Sequence, residues 1–297
     1  MVVLLSLLAA TAYGLGTVLQ QKGTLQGDDG DDDGGGTGVR FLAGLFRRPV
    51  WLLGGGVTAL GALCQTLALR TGPLAAVQAI TTLSLVIALP FGVWLTDQQV
   101  TRRVVAGACA MTAGVVLFVA VGSPQGGTGA PSATAWWVAG GCTAVLAVVL
   151  VRQGSRRSGS AQALLFGTAA GLGFGMATAL AKALTGQFSQ GLGAVLGSWE
   201  LYAMGAAGLL GLAMGQAALH TGALAPAMAA TNSVALLSSV ALGLTVFGEK
   251  FTSGPGHLAA VVVGLAAVLL GIVLLSRTPA AVDPAPAGPG STPVPLR

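Results

Sequence analysis

Charged side chains are scarce. Lys, Arg, Asp and Glu make up 8% of the 297 residues, against about a quarter in soluble domains. A water-soluble fold of this length would have too little polar surface to cover itself, which excludes a cytosolic enzyme. Aromatic residues are also few, at 5% with two Tyr, whereas a transmembrane β-barrel needs aromatic girdles at both interfaces. The three cysteines, Cys64, Cys109 and Cys142, fall inside apolar runs without metal-ligand spacing, so they read as small apolar fillers and not as a disulfide framework. The two histidines, His220 and His257, are not paired as H-E-x-x-H. Walker P-loop, nucleophile elbow and paired mid-membrane carboxylates are all missing. Neither enzymatic chemistry nor a cofactor is expected, and no metal-ligand set is assigned.

What is present is apolar. Hydrophobic residues reach 54%, Gly numbers 47 and the mean hydropathy is +0.81. A spanning helix needs about 20 mostly apolar residues. Nine runs qualify: Val2 to Leu19, Trp51 to Leu69, Leu74 to Leu95, Val104 to Val121, Ala135 to Val151, Gln162 to Thr185, Trp199 to His220, Ala223 to Phe247, and His257 to Leu275. The chain therefore reads as an all-α polytopic membrane protein. Its glycines, with small-xxx-small spacing at Gly167/Gly171, Gly193/Gly197 and Gly211/Gly215, suit close helix packing in lipid.

Basic residues decide the orientation. Lys22, Arg40, Arg47, Arg48, Arg102, Arg103, Arg152, Arg156, Arg157, Arg277 and Arg297 fall on one side; Arg70, Lys182 and Lys250 fall on the other. This bias predicts a plasma-membrane protein with its N-terminus outside and its C-terminus in the cytoplasm. The net charge of +5 then reflects topology and not nucleic-acid binding.

The sequence repeats itself. Leu69-Arg70-Thr71-Gly72-Pro73-Leu74-Ala75 reads against Leu219-His220-Thr221-Gly222-Ala223-Leu224-Ala225, and Thr96 to Thr101 falls against Phe247 to Thr252. Gly107 and Gly114 match Gly264 and Gly271, and Gly14-x-Gly16 ahead of Lys22 resembles Gly173-x-Gly175 ahead of Lys182. The expected organisation is a 4+1+4 inverted-topology repeat. Repeat A covers 1–121 with spans one to four, 122–161 is a connector with span five, and repeat B covers 162–276 with spans six to nine. Residues 277–297 form a Pro-rich, disordered cytoplasmic tail. Inverted repeats are the architecture of many secondary transporters. Within repeat A, the acidic segment 27–38 reads as a solvated linker or a divalent-cation sensor, and Arg40 to Arg48 as a short interfacial helix.

Polar residues inside spans are functional candidates because lipid makes them costly. Span three carries Gln78, Thr81 and Thr82 on one face; span eight carries Thr231 and Asn232, with Ser238 and Ser239. These stripes are candidate substrate ligands or interhelical hydrogen-bonding glue. Gln65 in span two and Gln216 in span seven are weaker candidates of the same kind. Glu200, one residue into span seven, reads as a ligand or proton carrier, or as a carboxylate stabilising a helix start. Pro90 and Pro226 should bend or unwind their helices.

The repeat, the first helix ending in Gln20-Gln21-Lys22-Gly23 and the Gly248-Glu249-Lys250 end of span eight resemble the drug/metabolite transporter superfamily with its EamA-type repeats. The nine-span NIPA-type magnesium transporters look closest among its branches. The resemblance implies a secondary transporter of a small solute or divalent cation, with Mg²⁺ as one option. One departure is that span two has Gly61-Ala62-Leu63-Cys64-Gln65 where that branch carries an acidic residue. The alternatives are an EamA-type exporter of an organic metabolite or drug, and a non-transporting membrane scaffold or partner subunit. The partners implied are the substrate and the lipid bilayer, with a homodimer compatible and nucleic acid excluded.

Overall fold

Apolar runs near 20 residues in length fold as helices in lipid because only intrahelical bonding satisfies their backbone groups there. The computed structural model describes residues 1–25, 49–96, 102–126, 131–219, 221, 223–252 and 254–276. Its helices are α1 (Val2–Leu25), α2 (Pro49–Thr71), α3 (Leu74–Thr81), α4 (Ser84–Thr96), α5 (Arg102–Val116), α6 (Ala133–Gly154), α7 (Gly159–Leu184), α8 (Leu192–Gly197), α9 (Trp199–Leu219), α10 (Leu224–Thr245) and α11 (Pro255–Ser276). A π-helical turn, Leu117–Val121, extends α5, and a 3₁₀ turn, Thr185–Gln190, extends α7. Nine helical segments among the described residues are long and apolar enough to cross a membrane. The acidic segment 27–38, the stretch 40–48, Asp97 and the tail 277–297 lie outside the described residues.

Two helices act as hubs. Helix α1 packs along α2, α3 and α4, and α7 packs along α9, α10 and α6. Helices α5 and α11 form a third long seam. Small residues make these approaches possible: a Cβ on Gly114 would lie 2.6 Å from the Gly264 carbonyl oxygen, and one on Gly271 would lie 2.7 Å from the Gly107 carbonyl oxygen. The four glycines of the sequence match thus meet crosswise along this seam, Gly114 against Gly264 and Gly107 against Gly271. Glycines bring the helices together at the hubs as well. Gly14 meets α4 at Ser84 and Ala88, and Gly171 meets α10 at Thr231 and Ala235. Gly16 meets α2 at Gly54, and Gly173 meets α9 at Ala207 and Gly211.

The third span is broken, but not at its proline. The break lies at Thr82 and Leu83, between α3 and α4. There Thr81 Oγ1 donates to the Gln78 carbonyl at 3.0 Å and Thr82 Oγ1 to that of Ala79 at 2.6 Å. Hydroxyls that bond the preceding turn compete with the helical ladder, and the Leu83 N–H turns to Ile80 O at 3.0 Å. Pro90 lies inside α4. Pro226 sits in the first turn of α10, where a helix lacks a partner for the N–H in any case. Neither proline unwinds its helix.

Three apolar cores follow. One joins α3, α5, α10 and α11 around Met111, Phe118 and Leu236. A second joins α2, α3, α7 and the end of α10 around Leu69, Val77 and Leu180. A smaller one, around Ala163 and Phe166, joins α7, α9 and α10. At the end of the bundle carrying the α2–α3 turn, the loops after α5 and α10 are laced together. Gln125 and Lys250 exchange backbone hydrogen bonds of 2.7 and 3.2 Å, and Phe251 stacks edge-on against Phe118 at 5.5 Å.

Candidate functional site

A helix start in lipid leaves N–H groups without partners. At α3 the preceding residue is Pro73, whose side chain offers no acceptor. The acceptor comes from far along the chain instead. Gly248, at φ +63°, adopts the left-handed turn that glycine allows, and Glu249 follows it. The Glu249 carboxylate accepts from the Leu74 N–H and, at 3.1 Å, from the Ala75 N–H. It also pairs with Lys182, in the last turn of α7. Glu249 is only 3% exposed, and a Cβ on Gly243 would lie 2.5 Å from its Oε2. One carboxylate thus ties the start of α3, the end of α7 and the end of α10.

Beside this knot lies a cavity of about 930 Å³, partly open to its surroundings. Trp136, Trp137, Trp199 and Phe247 give it aromatic walls, and Arg70, Lys182 and Glu200 bring charge. Trp136 stands edge-on to Trp199 at 5.6 Å and to Phe247 at 5.9 Å, a preferred arrangement for aromatic pairs. The Lys182 ammonium lies 4.9 Å from the Phe247 ring centre, within cation–π range. Arg70 ends α2 and Glu200 begins α9, so each charge sits at the favourable end of its helix dipole. Among the described residues, the Lys182–Glu249 contact is the one salt bridge, leaving Arg70 and Glu200 without an ion pair.

Of the residues singled out by sequence, Glu200 lines the cavity. Gln65 and Gln78 are brought together: the Gln65 amide donates to Gln78 Oε1 at 3.3 Å, and Tyr13 donates to Gln65 Oε1 at 2.7 Å. Gln65 lies five residues before Arg70 in α2, about 7.5 Å deeper at 1.5 Å per residue. Thr81 and Thr82 are buried at the helix break. Thr231 Oγ1 and Asn232 Nδ2 each donate to their own helix, to Ala227 O and Met228 O at 2.9 Å. Thr231 faces Gly167 of α7, and Ser238 reaches the Gly171 carbonyl at 3.4 Å. On α10, then, Thr231 and Ser238 face the α7 contact. Gln216 is exposed on α9. Tyr13, Trp136, Trp199, Phe247 and the Lys182–Glu249 pair join the set.

No protein-family model matches the chain, and no solved structure does. The chain is similar to an uncharacterized protein of Corynebacterium glutamicum, 27% identical over 285 residues, which cover 93% of this chain and 94% of that protein. The protein described here is, on the nine long apolar helices among its described residues, a multi-pass membrane protein.

Proposed function

We propose that the protein is an integral-membrane secondary transporter of a small organic solute. It works by alternating access between two inverted four-helix repeats, spans one to four and six to nine, with span five as connector. The observation that carries this reading is the cavity of about 930 Å³, walled by aromatic side chains and supplied with a few charges at one end of the bundle. A concave, mostly apolar site with a few placed polar groups is what small-molecule binding requires. Matched packing supports the repeat: Gly14 and Gly171 each meet a third helix of their half, and Gly16 and Gly173 each meet a second. These features agree with the resemblance to EamA-type drug/metabolite transporters.

The bias in basic residues supports an outside position for the cavity end, and in this reading the arrangement is open outward. The Tyr13–Gln65–Gln78 chain, deeper in the bundle, offers the next polar contacts to a solute moving inward. An organic solute fits better than Mg²⁺. A strongly hydrated dication wants oxygen ligands, whereas the cavity offers indole faces and two cationic side chains beside the single carboxylate of Glu200. A scaffold role leaves the charged cavity without a purpose. The test is solute counterflow into proteoliposomes across a panel of zwitterionic, anionic and cationic organic solutes, with Mg²⁺ flux in parallel. Saturable organic-solute exchange is expected; Mg²⁺ flux alone, or no flux at all, would refute the reading.

A further inference from the structure

The charges of the cavity specify more than an organic solute. Lys182 is already neutralised by Glu249, whose two oxygens are taken up by Lys182 and by the Leu74 and Ala75 N–H groups. Glu249 itself is not among the cavity-lining residues. Among the described residues, the cavity lining leaves one cation, Arg70, and one anion, Glu200, without an ion pair. The same cavity is lined by Trp136, Trp137, Trp199 and Phe247.

From this arrangement we infer that the ligand is a zwitterion with an apolar body, its carboxylate directed to Arg70 and its ammonium to Glu200. The inference rests on the proposed transport reading and names its substrate class. A net anion would leave Glu200 facing like charge, and a net cation would do the same at Arg70. A ligand of net zero charge matches both, giving a partner to the exposed Arg70 and to the half-buried Glu200. A guanidinium accepts a carboxylate through two parallel hydrogen bonds. The indole and phenyl faces hold the apolar body by stacking, which is worth more than contact area alone. Glu200 becomes a specificity determinant in addition to stabilising the start of α9. Arg70, placed where α2 ends, is its counterpart.

The experiment is calorimetric titration of the full chain in nanodiscs with three probes that differ by one charged group: L-phenylalanine, 3-phenylpropionate, which lacks the ammonium, and 2-phenylethylammonium, which lacks the carboxylate. L-phenylalanine is expected to bind at least tenfold tighter than either. Arg70→Gln should bring L-phenylalanine and 2-phenylethylammonium within about threefold of each other, and Glu200→Gln should do the same for L-phenylalanine and 3-phenylpropionate. Each variant keeps the Lys182–Glu249 knot, and near-wild-type melting temperatures would show that both are folded. A singly charged probe binding as tightly as L-phenylalanine would overturn the inference, as would no saturable binding by any of the three or two variants that leave the ranking unchanged. Zwitterion binding without counterflow would sustain the ligand assignment while sinking transport. Counterflow of cations alone would do the reverse.

Discussion

Glu249→Ala removes three bonds at once, and its cost can be built up from them. The Leu74 and Ala75 N–H groups lose their acceptor, a loss of cap worth about 1 kcal/mol. Lys182 loses its counter-ion, and breaking a buried pair by removing one partner costs about 3–5 kcal/mol. The Lys182 side chain keeps 14% exposure and borders the cavity, so water relieves part of this and about 2 kcal/mol remains. The expected total is about 3 kcal/mol. Glu249→Gln keeps an acceptor for α3 and should lose about 2 kcal/mol. Lys182→Met leaves the carboxylate two N–H donors and a helix N-terminus, and should lose about 1–2 kcal/mol. Combining Lys182→Met with Glu249→Gln should cost less than the two singles added, with a coupling of about 1–2 kcal/mol. Unfolding by SDS titration in mixed micelles, followed by tryptophan fluorescence, reads these values, because Trp136 contacts Phe247 two residues from Glu249. Additivity within about 0.5 kcal/mol, or a Glu249→Ala variant as stable as wild type, would refute the reasoning.

Other outcomes follow from the same geometry. Gly114→Val should destabilise by about 2 kcal/mol or more by overpacking the α5–α11 seam, where its Cβ meets the Gly264 carbonyl; the same titration measures it. Gly243→Ala pushes a methyl toward Glu249 Oε2 and should lower stability by about 1 kcal/mol, an effect that disappears in a Glu249→Ala background. In a cysteine-free chain, Ser189→Cys and Ser155→Cys, at opposite ends of α7, should label from outside and from the cytoplasm respectively. Labelling of Ser155→Cys by an impermeant maleimide in intact cells would invert the orientation.

The helices were the most legible part of the molecule, because apolar length alone dictates them in lipid. The observed helices run within a few residues of the sequence spans, and the Gly107/Gly114 and Gly264/Gly271 match marks a real seam. The helix break was misplaced because Pro90 is a visible signal, whereas paired threonine hydroxyls bonding backward are not. The Lys182–Glu249 pair was hidden for a different reason. Each residue reads alone as an interfacial end charge, and only the fold closes the separation of 67 positions. The stripe on α10 was legible as polar, but which helix it would face was not, since that depends on Gly167 and Gly171 opening a groove for it. Glu200, named from the sequence, lines the cavity, while the tryptophans that line it with Glu200 gave no periodic signal.

The central claim is that solute passes through the aromatic cavity. The most direct measurement introduces Gln187→Cys, in the cavity lining, into a cysteine-free chain and follows counterflow in proteoliposomes before and after reaction with a bulky impermeant maleimide. The account predicts that labelling abolishes exchange and that transported solute slows the labelling. Complete labelling with exchange unchanged would place the pathway elsewhere in the molecule.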